Sequence, residues 1–298
     1  MTRVVVIGAG AIGGYLAGRA ADAGHEVVVC ARSEIDAIRL ECDGVVRTLD
    51  VRVVTRVADV ASAEVVVVAT KTHQVHGVRH WLHAAVTPAT TVLVAQNGID
   101  HQPVVAELPE EPGCGRPRVV PSVLHVGAGL RAPGWVVHRG GDLIYVPDDD
   151  GGRHVAMVLS GDALQVVPTT QFRRLRWEKF CLNVGTGAVT ALFRAPLGIT
   201  EHPAVSGLVR GLADEAVAVG RARGVALPED LSERIVLSAR SRSPDHRTSM
   251  LDDTLAGRPL ELAALNQTVV DTGAEVGVPT PLNELVVHAL TARSEIGG

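Results

Sequence analysis

Two groups of residues in this chain have the types and spacing to do chemistry. Near the start, Gly8-Ala9-Gly10-Ala11-Ile12-Gly13 spells G-x-G-x-x-G. In such a turn the first glycine permits a tight reversal and the second lets a pyrophosphate approach the backbone. The third lets helix and strand pack closely, and the helix N-terminus offers its N–H groups to the phosphates. In the second half, Lys179 and Asn183 are four residues apart in a helical pattern, so they share one face. Lys179 is flanked by Trp177, Phe180 and Leu182. Burial among such groups lowers an ammonium pKa toward neutrality and makes it a proton donor, whereas the same lysine on an open helix face is merely solvated.

The elements that must hold these groups follow from hydrophobic pattern. Val4-Val5-Val6-Ile7 is a β-branched, wholly apolar run, as expected for a strand covered on both faces of a parallel sheet. A helix over Gly14 to Ala23, stopped by Gly24, and a strand at Val27-Val28-Val29 complete a strand–turn–helix–strand unit. That context turns a weak motif into a dinucleotide-binding signature. After the second strand, Cys30-Ala31-Arg32-Ser33 offers no carboxylate for a ribose 2′-hydroxyl but does offer Arg32 for a 2′-phosphate. NADPH is the expected cofactor, against the alternative that Arg32 is only a surface residue.

Further strands are expected at Val65–Val68 and Thr91–Val94, the first running into Lys71 and the second into Gln96-Asn97-Gly98. Ligands of open α/β sheets gather beyond the carboxyl ends of strands, which places Lys71 and Asn97 well. Asn97 could equally be a turn residue before Gly98. Ser122, Val123, Leu124 and His125 read as a loop near the nicotinamide, with no role assigned to His125. Gly134 to Val146 reads as antiparallel structure, followed by a helix and a last strand near Leu164–Val167. From Gln171 onward the periods are helical: Arg173–Leu192, Val205–Arg223, Leu231–Ser238, Ser249–Ala256, Leu260–Val276 and Leu282–Thr291. The expected fold is therefore α/β, a Rossmann-type domain over 1–170 followed by an all-α domain over 171–298.

Composition supports two soluble domains. With 298 residues, 46% hydrophobic and 20% charged, the chain can bury a core and is far from disordered composition. A net charge of −5 and a pI near 6.2 leave no basic footprint for nucleic acid. Aromatic residues make up only 3%, which speaks against a stacking platform. No apolar run is long and unbroken enough for a membrane span, and no small-residue cleavage site follows Met1-Thr2-Arg3. Cys30, Cys42, Cys114 and Cys181 lie far apart, without the pairing of a disulfide framework or a zinc site. A reduced, cytoplasmic protein without a metal is expected.

Taken in order, the motifs resemble the ketopantoate reductase family over essentially the whole chain. They are the glycine turn, Lys71, Gln96-Asn97-Gly98, Lys179-Phe180-Cys181-Leu182-Asn183, Ser249-Met250-Leu251-Asp252-Asp253, Gly257-Arg258-Pro259-Leu260-Glu261 and Gly277-Val278-Pro279-Thr280-Pro281. The resemblance implies reduction of ketopantoate to pantoate with NADPH, in pantothenate and coenzyme A biosynthesis, with the site in a cleft between the two domains. It implies that Lys179 is the proton donor, that Glu261 works with it, and that Asn97 links cofactor and lysine. Asn183 and Ser249 match substrate positions, and Arg32 and Lys71 match cofactor positions. A 2-oxo acid substrate and a homodimer belong to the same expectation.

Alternatives stand beside two of these roles: Ser249 read alone is a helix N-cap, and Glu261 read alone is an exposed helix residue. Two departures from the family pattern stand out. Gly187 lies where many members carry a second substrate-contacting asparagine, removing an amide and opening space. Gln267 lies where a glycine is frequent. The first departure motivates a second reading, a related reductase of another 2-oxo acid or ketone. A third reading is a non-catalytic NADPH-binding module, since a fold does not fix a function.

Overall fold

The computed structural model describes residues 1–109 and 115–296. Cys114 lies outside them. The chain divides into two compact units, Met1–Phe172 and Arg173–Gly298.

The first unit is built on two sheets. Its strands are β1 (Arg3–Ile7), β2 (Glu26–Cys30), β3 (Arg39–Cys42), β4 (Val45–Thr48), β5 (Arg52–Val54), β6 (Val65–Val68), β7 (Thr91–Val94), β8 (Arg118–Pro121), β9 (Val123–Ala132), β10 (Trp135–Pro147) and β11 (Gln165–Thr169). Its helices are α1 (Ala11–Asp22), α2 (Arg79–Ala85), α3 (Gln102–Ala106) and α4 (Asp150–Leu159). Six strands form a sheet in the order β5-β2-β1-β6-β7-β8, every neighbouring pair parallel. The chain leaves β1 toward β2 and later returns to β6 on the other side. That reversal of direction is where such sheets open a crevice for ligands.

Alternation along β1 explains why its run is wholly apolar. Val4 and Val6 face one core with Tyr15, Leu16, Val136 and Ile144, while Val5 and Ile7 face another with Val28, Trp81 and Leu82. Both faces are covered, so no polar position is available. The second sheet runs β11-β10-β3-β4, with β9 antiparallel to β10. It covers α1. An added Cβ at Gly14 would lie 2.5 Å from Val136, and one at Gly18 would lie 3.0 Å from Leu49 and 3.1 Å from Leu40. These glycines are needed for close approach of helix and sheet.

One expectation changes here, and one hairpin is added. Val123, Leu124 and His125 are not loop but the start of β9, paired with Tyr145, Ile144 and Leu143. Ser122 is buried, and its hydroxyl donates to the Val94 carbonyl at 2.7 Å. The hairpin β3–β4 did have a signal, the Asp43-Gly44 pair, whose φ values of 50° and 80° make the two-residue loop between Cys42 and Val45.

The second unit is helical: α5 (Phe172–Phe193), α6 (Pro203–Ala222), α7 (Leu231–Ser241), α8 (Ser249–Leu255), α9 (Asn266–Val276) and α10 (Pro281–Ile296). A buried polar chain ties four of them. The Asn266 amide donates to Asn283 Oδ1 at 2.9 Å and to the Val184 carbonyl at 3.3 Å. The Asn283 amide donates to Glu215 Oε2 at 2.7 Å and to the Leu212 carbonyl at 3.2 Å. The expected helix over Leu260–Val276 begins only at Asn266, because Leu262–Leu265 close as a tight turn with Leu265 N donating to the Leu262 carbonyl at 3.1 Å. Among the described residues no helix is long and apolar enough to cross a membrane.

Candidate active site residues

In the first unit the glycine turn lies between β1 and α1. Gly8 has φ +112°, a conformation side chains rarely adopt, and an added Cβ there would lie 3.0 Å from the Ala69 carbonyl oxygen after β6. A Cβ at Gly13 would lie 1.8 Å from the Gly8 carbonyl oxygen. At Gly10 nothing lies within 4 Å. The turn is closed behind and open in front, and Gly10 is the N-cap of α1 with no side-chain hydrogen bond to the first-turn N–H groups. A phosphate group fits such a cradle, since the N–H groups and the positive end of the helix both face it. Ala9, Ala11 and Ile12 fill the remaining positions of the turn.

Around this turn the sheet brings together residues distant in sequence. Arg32 lies two residues beyond β2 and is exposed. Lys71 follows β6 and is half-buried, its backbone N–H 3.4 Å from Gln74 Oε1. Asn97 follows β7, beside Gln96, whose amide donates to the Thr70 carbonyl at 2.8 Å and so ties the two loops. All of them follow the carboxyl ends of adjacent strands of the parallel sheet.

In the second unit α5 presents Lys179, Asn183 and Gly187 at successive intervals of four. Lys179 is half-buried. Loss of water pushes its pKa down to about 8, and the positive charge of Arg242 at the end of α7 acts in the same direction. Arg242 carries no motif that would announce it from sequence; only folding brings the end of α7 near α5.

Ser249 is the first residue of α8 but not its cap. Thr248 is, its hydroxyl accepting from Leu251 N at 3.1 Å, which leaves the exposed Ser249 hydroxyl uncommitted to capping. Glu261 is neither helical nor exposed. It sits 5% exposed before the Leu262–Leu265 turn. Its segment is fastened to α8 through Arg258, whose guanidinium donates to Asp253 Oδ1 and whose backbone N–H donates to the Asp253 carbonyl, both at 2.9 Å. Gln267 makes a surface pair with Asp271 at 2.7 Å. Beside Gly187 stands Met250, whose Cβ, Cε and Sδ would lie 3.6, 3.7 and 3.9 Å from an added Cβ, at ordinary contact. Among the described residues no group of three or more His, Cys, Asp or Glu could hold a metal ion.

The family model "Ketopantoate reductase PanE/ApbA" matches residues 4–151, and "Ketopantoate reductase PanE/ApbA C terminal" matches residues 171–294. The chain belongs to the ketopantoate reductase family. It is 35% identical to the 2-dehydropantoate 2-reductase of Caulobacter vibrioides, over 98% of this chain and 99% of that one. Among solved structures it is similar to a PanE/ApbA family ketopantoate reductase of Ralstonia eutropha JMP134, with TM-score 0.88, 26% identity and 98% of each chain covered. A dimeric ketopantoate reductase of Staphylococcus aureus shares the fold at TM-score 0.86 and 21% identity, over 99% of this chain and 100% of that one. Members of this family are dinucleotide-dependent oxidoreductases, and that chemistry agrees with the glycine cradle.

Proposed function

We propose that this chain is an NADPH-dependent 2-dehydropantoate 2-reductase, which reduces ketopantoate to pantoate in pantothenate and coenzyme A biosynthesis in the cytoplasm. The observation that carries this reading is the 35% identity to a curated 2-dehydropantoate 2-reductase across nearly all of both chains. It is supported by a lysine whose pKa lies near 8 on the same helix face as Asn183.

In this reading the backbone N–H groups around Gly10 to Gly13 hold the pyrophosphate, Arg32 pairs with the 2′-phosphate and Lys71 adds positive charge. NADPH, when bound, supplies the hydride for the ketone carbon. As that carbon is reduced, negative charge grows on the ketone oxygen, and the Lys179 ammonium transfers a proton from Nζ to that oxygen. Lys179 is left as a neutral amine and regains its proton from water. A pKa near 8 suits this cycle, because the group is mostly protonated at neutral pH yet gives its proton up more readily than an ordinary lysine. Glu261 supplies the carboxylate that works with Lys179 and the substrate. Asn183, Ser249 and Asn97 supply hydroxyl and amide groups that orient the substrate, and Asn97 also contacts the cofactor.

The test is turnover of ketopantoate, followed by loss of NADPH absorbance, with NADH as the comparison cofactor. Efficient reduction with NADPH is expected, and no turnover with any 2-oxo acid overturns the reading. A homodimer is expected in solution, and sedimentation as a monomer at assay concentration would exclude it.

A further inference from the structure

A 2-oxo acid carries its carboxylate on the carbon next to the ketone, so the group that holds the carboxylate must stand close to the group that protonates the ketone oxygen. Within the second unit, the guanidinium of Arg242, just past the end of α7, lies near enough for its positive charge to act on Lys179. Two cations placed together repel until an anion joins them. Other arginines of this stretch are balanced, Arg247 by Asp252 at 2.6 Å and Arg258 by Asp253 at 2.9 Å. Arg242 is exposed, and among the described residues no carboxylate pairs with it.

What Arg242 touches is His246, whose Nε2 lies 3.3 Å from Nη1. A guanidinium can only donate, so Nε2 accepts and the imidazole is neutral with its proton on Nδ1. One corner of the guanidinium is thereby held. The opposite edge, Nε with Nη2, remains a two-pronged donor of the shape that fits a carboxylate. The loop that carries both residues is fixed in place. His246 N donates to the Ser243 carbonyl at 2.9 Å, while Leu197 N and Gly198 N, after α5, donate to the carbonyls of His246 and Pro244 at 2.9 and 2.8 Å. A Cβ at Gly198 would lie 2.9 Å from the Pro244 carbonyl oxygen, so this approach requires the glycine. Beyond His246, Thr248 Oγ1 meets Thr190 Oγ1 of α5 at 2.6 Å. The loop is thus sewn to the helix that bears Lys179, which sets the donor edge relative to that lysine.

We propose that Arg242 binds the carboxylate of the 2-oxo acid, with His246 as the positioning residue that orients its guanidinium. The proposal rests on the 2-oxo acid reading given above. In it Arg242 supplies the counter-charge for the carboxylate while Lys179 faces the ketone oxygen one carbon away, and the bound anion relieves the repulsion between the two cations.

The experiment measures kcat and KM of the full-length enzyme for ketopantoate with saturating NADPH, at about pH 6.5, where Lys179 keeps its proton with or without Arg242 and the variants cannot act through its proton affinity. Arg242→Gln should raise KM by about 30-fold or more, as loss of a charge-assisted pair to a carboxylate predicts, with kcat within about threefold of the parent. Arg242→Lys, which keeps the charge but not the fork, should recover part of that loss. His246→Ala should raise KM by about three- to tenfold, and His246→Gln, which keeps an acceptor for Nη1, should bring it back. An unmoved KM in Arg242→Gln overturns the proposal, and so does a loss confined to kcat. Equal damage from His246→Ala and His246→Gln removes the positioning role of His246. Turnover of no 2-oxo acid by the parent enzyme defeats the 2-oxo acid reading and this proposal together, whereas ketopantoate turnover with an unmoved KM in Arg242→Gln defeats only this one.

Discussion

The two halves of the candidate machinery are written in different parts of the polypeptide. The proposed cofactor cradle in the first unit is made of backbone: a turn at φ +112°, an α1 terminus without a side-chain cap, and a glycine whose added Cβ would lie 1.8 Å from a carbonyl oxygen. The proposed proton-donor region in the second unit rests on side chains, chiefly Lys179 and Asn183 on one helix, where geometry would tolerate many residues and chemistry would not. A backbone site should therefore fail by losing shape and a side-chain site by losing function on an intact fold.

The sharpest way to break that contrast is Lys179→Ala. Loss of the proton donor should lower kcat by about 10²–10⁴-fold while the thermal midpoint and NADPH affinity persist. Near-normal turnover would remove Lys179 from the reaction. Gly13→Ala should do the opposite, with NADPH affinity and stability falling together, by about 3 kcal/mol or more in Tm-derived stability, because helix and turn must separate to admit the methyl. Intact NADPH binding in a stable Gly13→Ala protein would show that the cradle is not the cofactor site.

Arg32→Asp is a smaller change at an exposed edge. It should weaken NADPH by about 10–100-fold and leave NADH within a few-fold, as loss of a charge-assisted pair to one phosphate predicts. Equal loss for both cofactors would move Arg32 out of the 2′-phosphate site. The smallest effect concerns pH. With Lys179 as the proposed proton donor, kcat/KM should fall as pH rises through about 8, well below the range of an ordinary lysine. Arg242→Ala removes a nearby positive charge, which favours the protonated ammonium and should shift that falling limb to higher pH. A limb that moves down or stays in place would show that Arg242 does not act on Lys179.

The same contrast explains what could be read from sequence. The glycine turn, its strands and the change to helical periods near residue 171 were legible because backbone demands restrict residue type directly. Lys179 and Asn183 were legible as a shared helix face, but their roles came from the family resemblance. Glu261 was misplaced, since Leu260, Leu262, Ala263 and Leu265 have helical spacing that a tight turn equally satisfies. Ser249 read alone fits a cap, yet the neighbouring Thr248 holds that place. Arg242 left no trace, for its relation to Lys179 exists only after folding. A missing side chain at Gly187 reads as space, but that Met250 is the neighbour bordering it exists only after folding.

The helix that opens at the cofactor turn has a further property. Seven of its residues, Gly13 to Gly18 and Ala20, are buried, pressed between the parallel sheet on one side and the second sheet on the other. In hydrogen-exchange terms the amides of the buried stretch Tyr15 to Gly18 and of Ala20 are expected to reach solvent only when this layered unit opens. The helix behind the glycine turn is thus expected to be among the last parts of the unit to fray, holding the turn in front of it in its final shape before any ligand arrives.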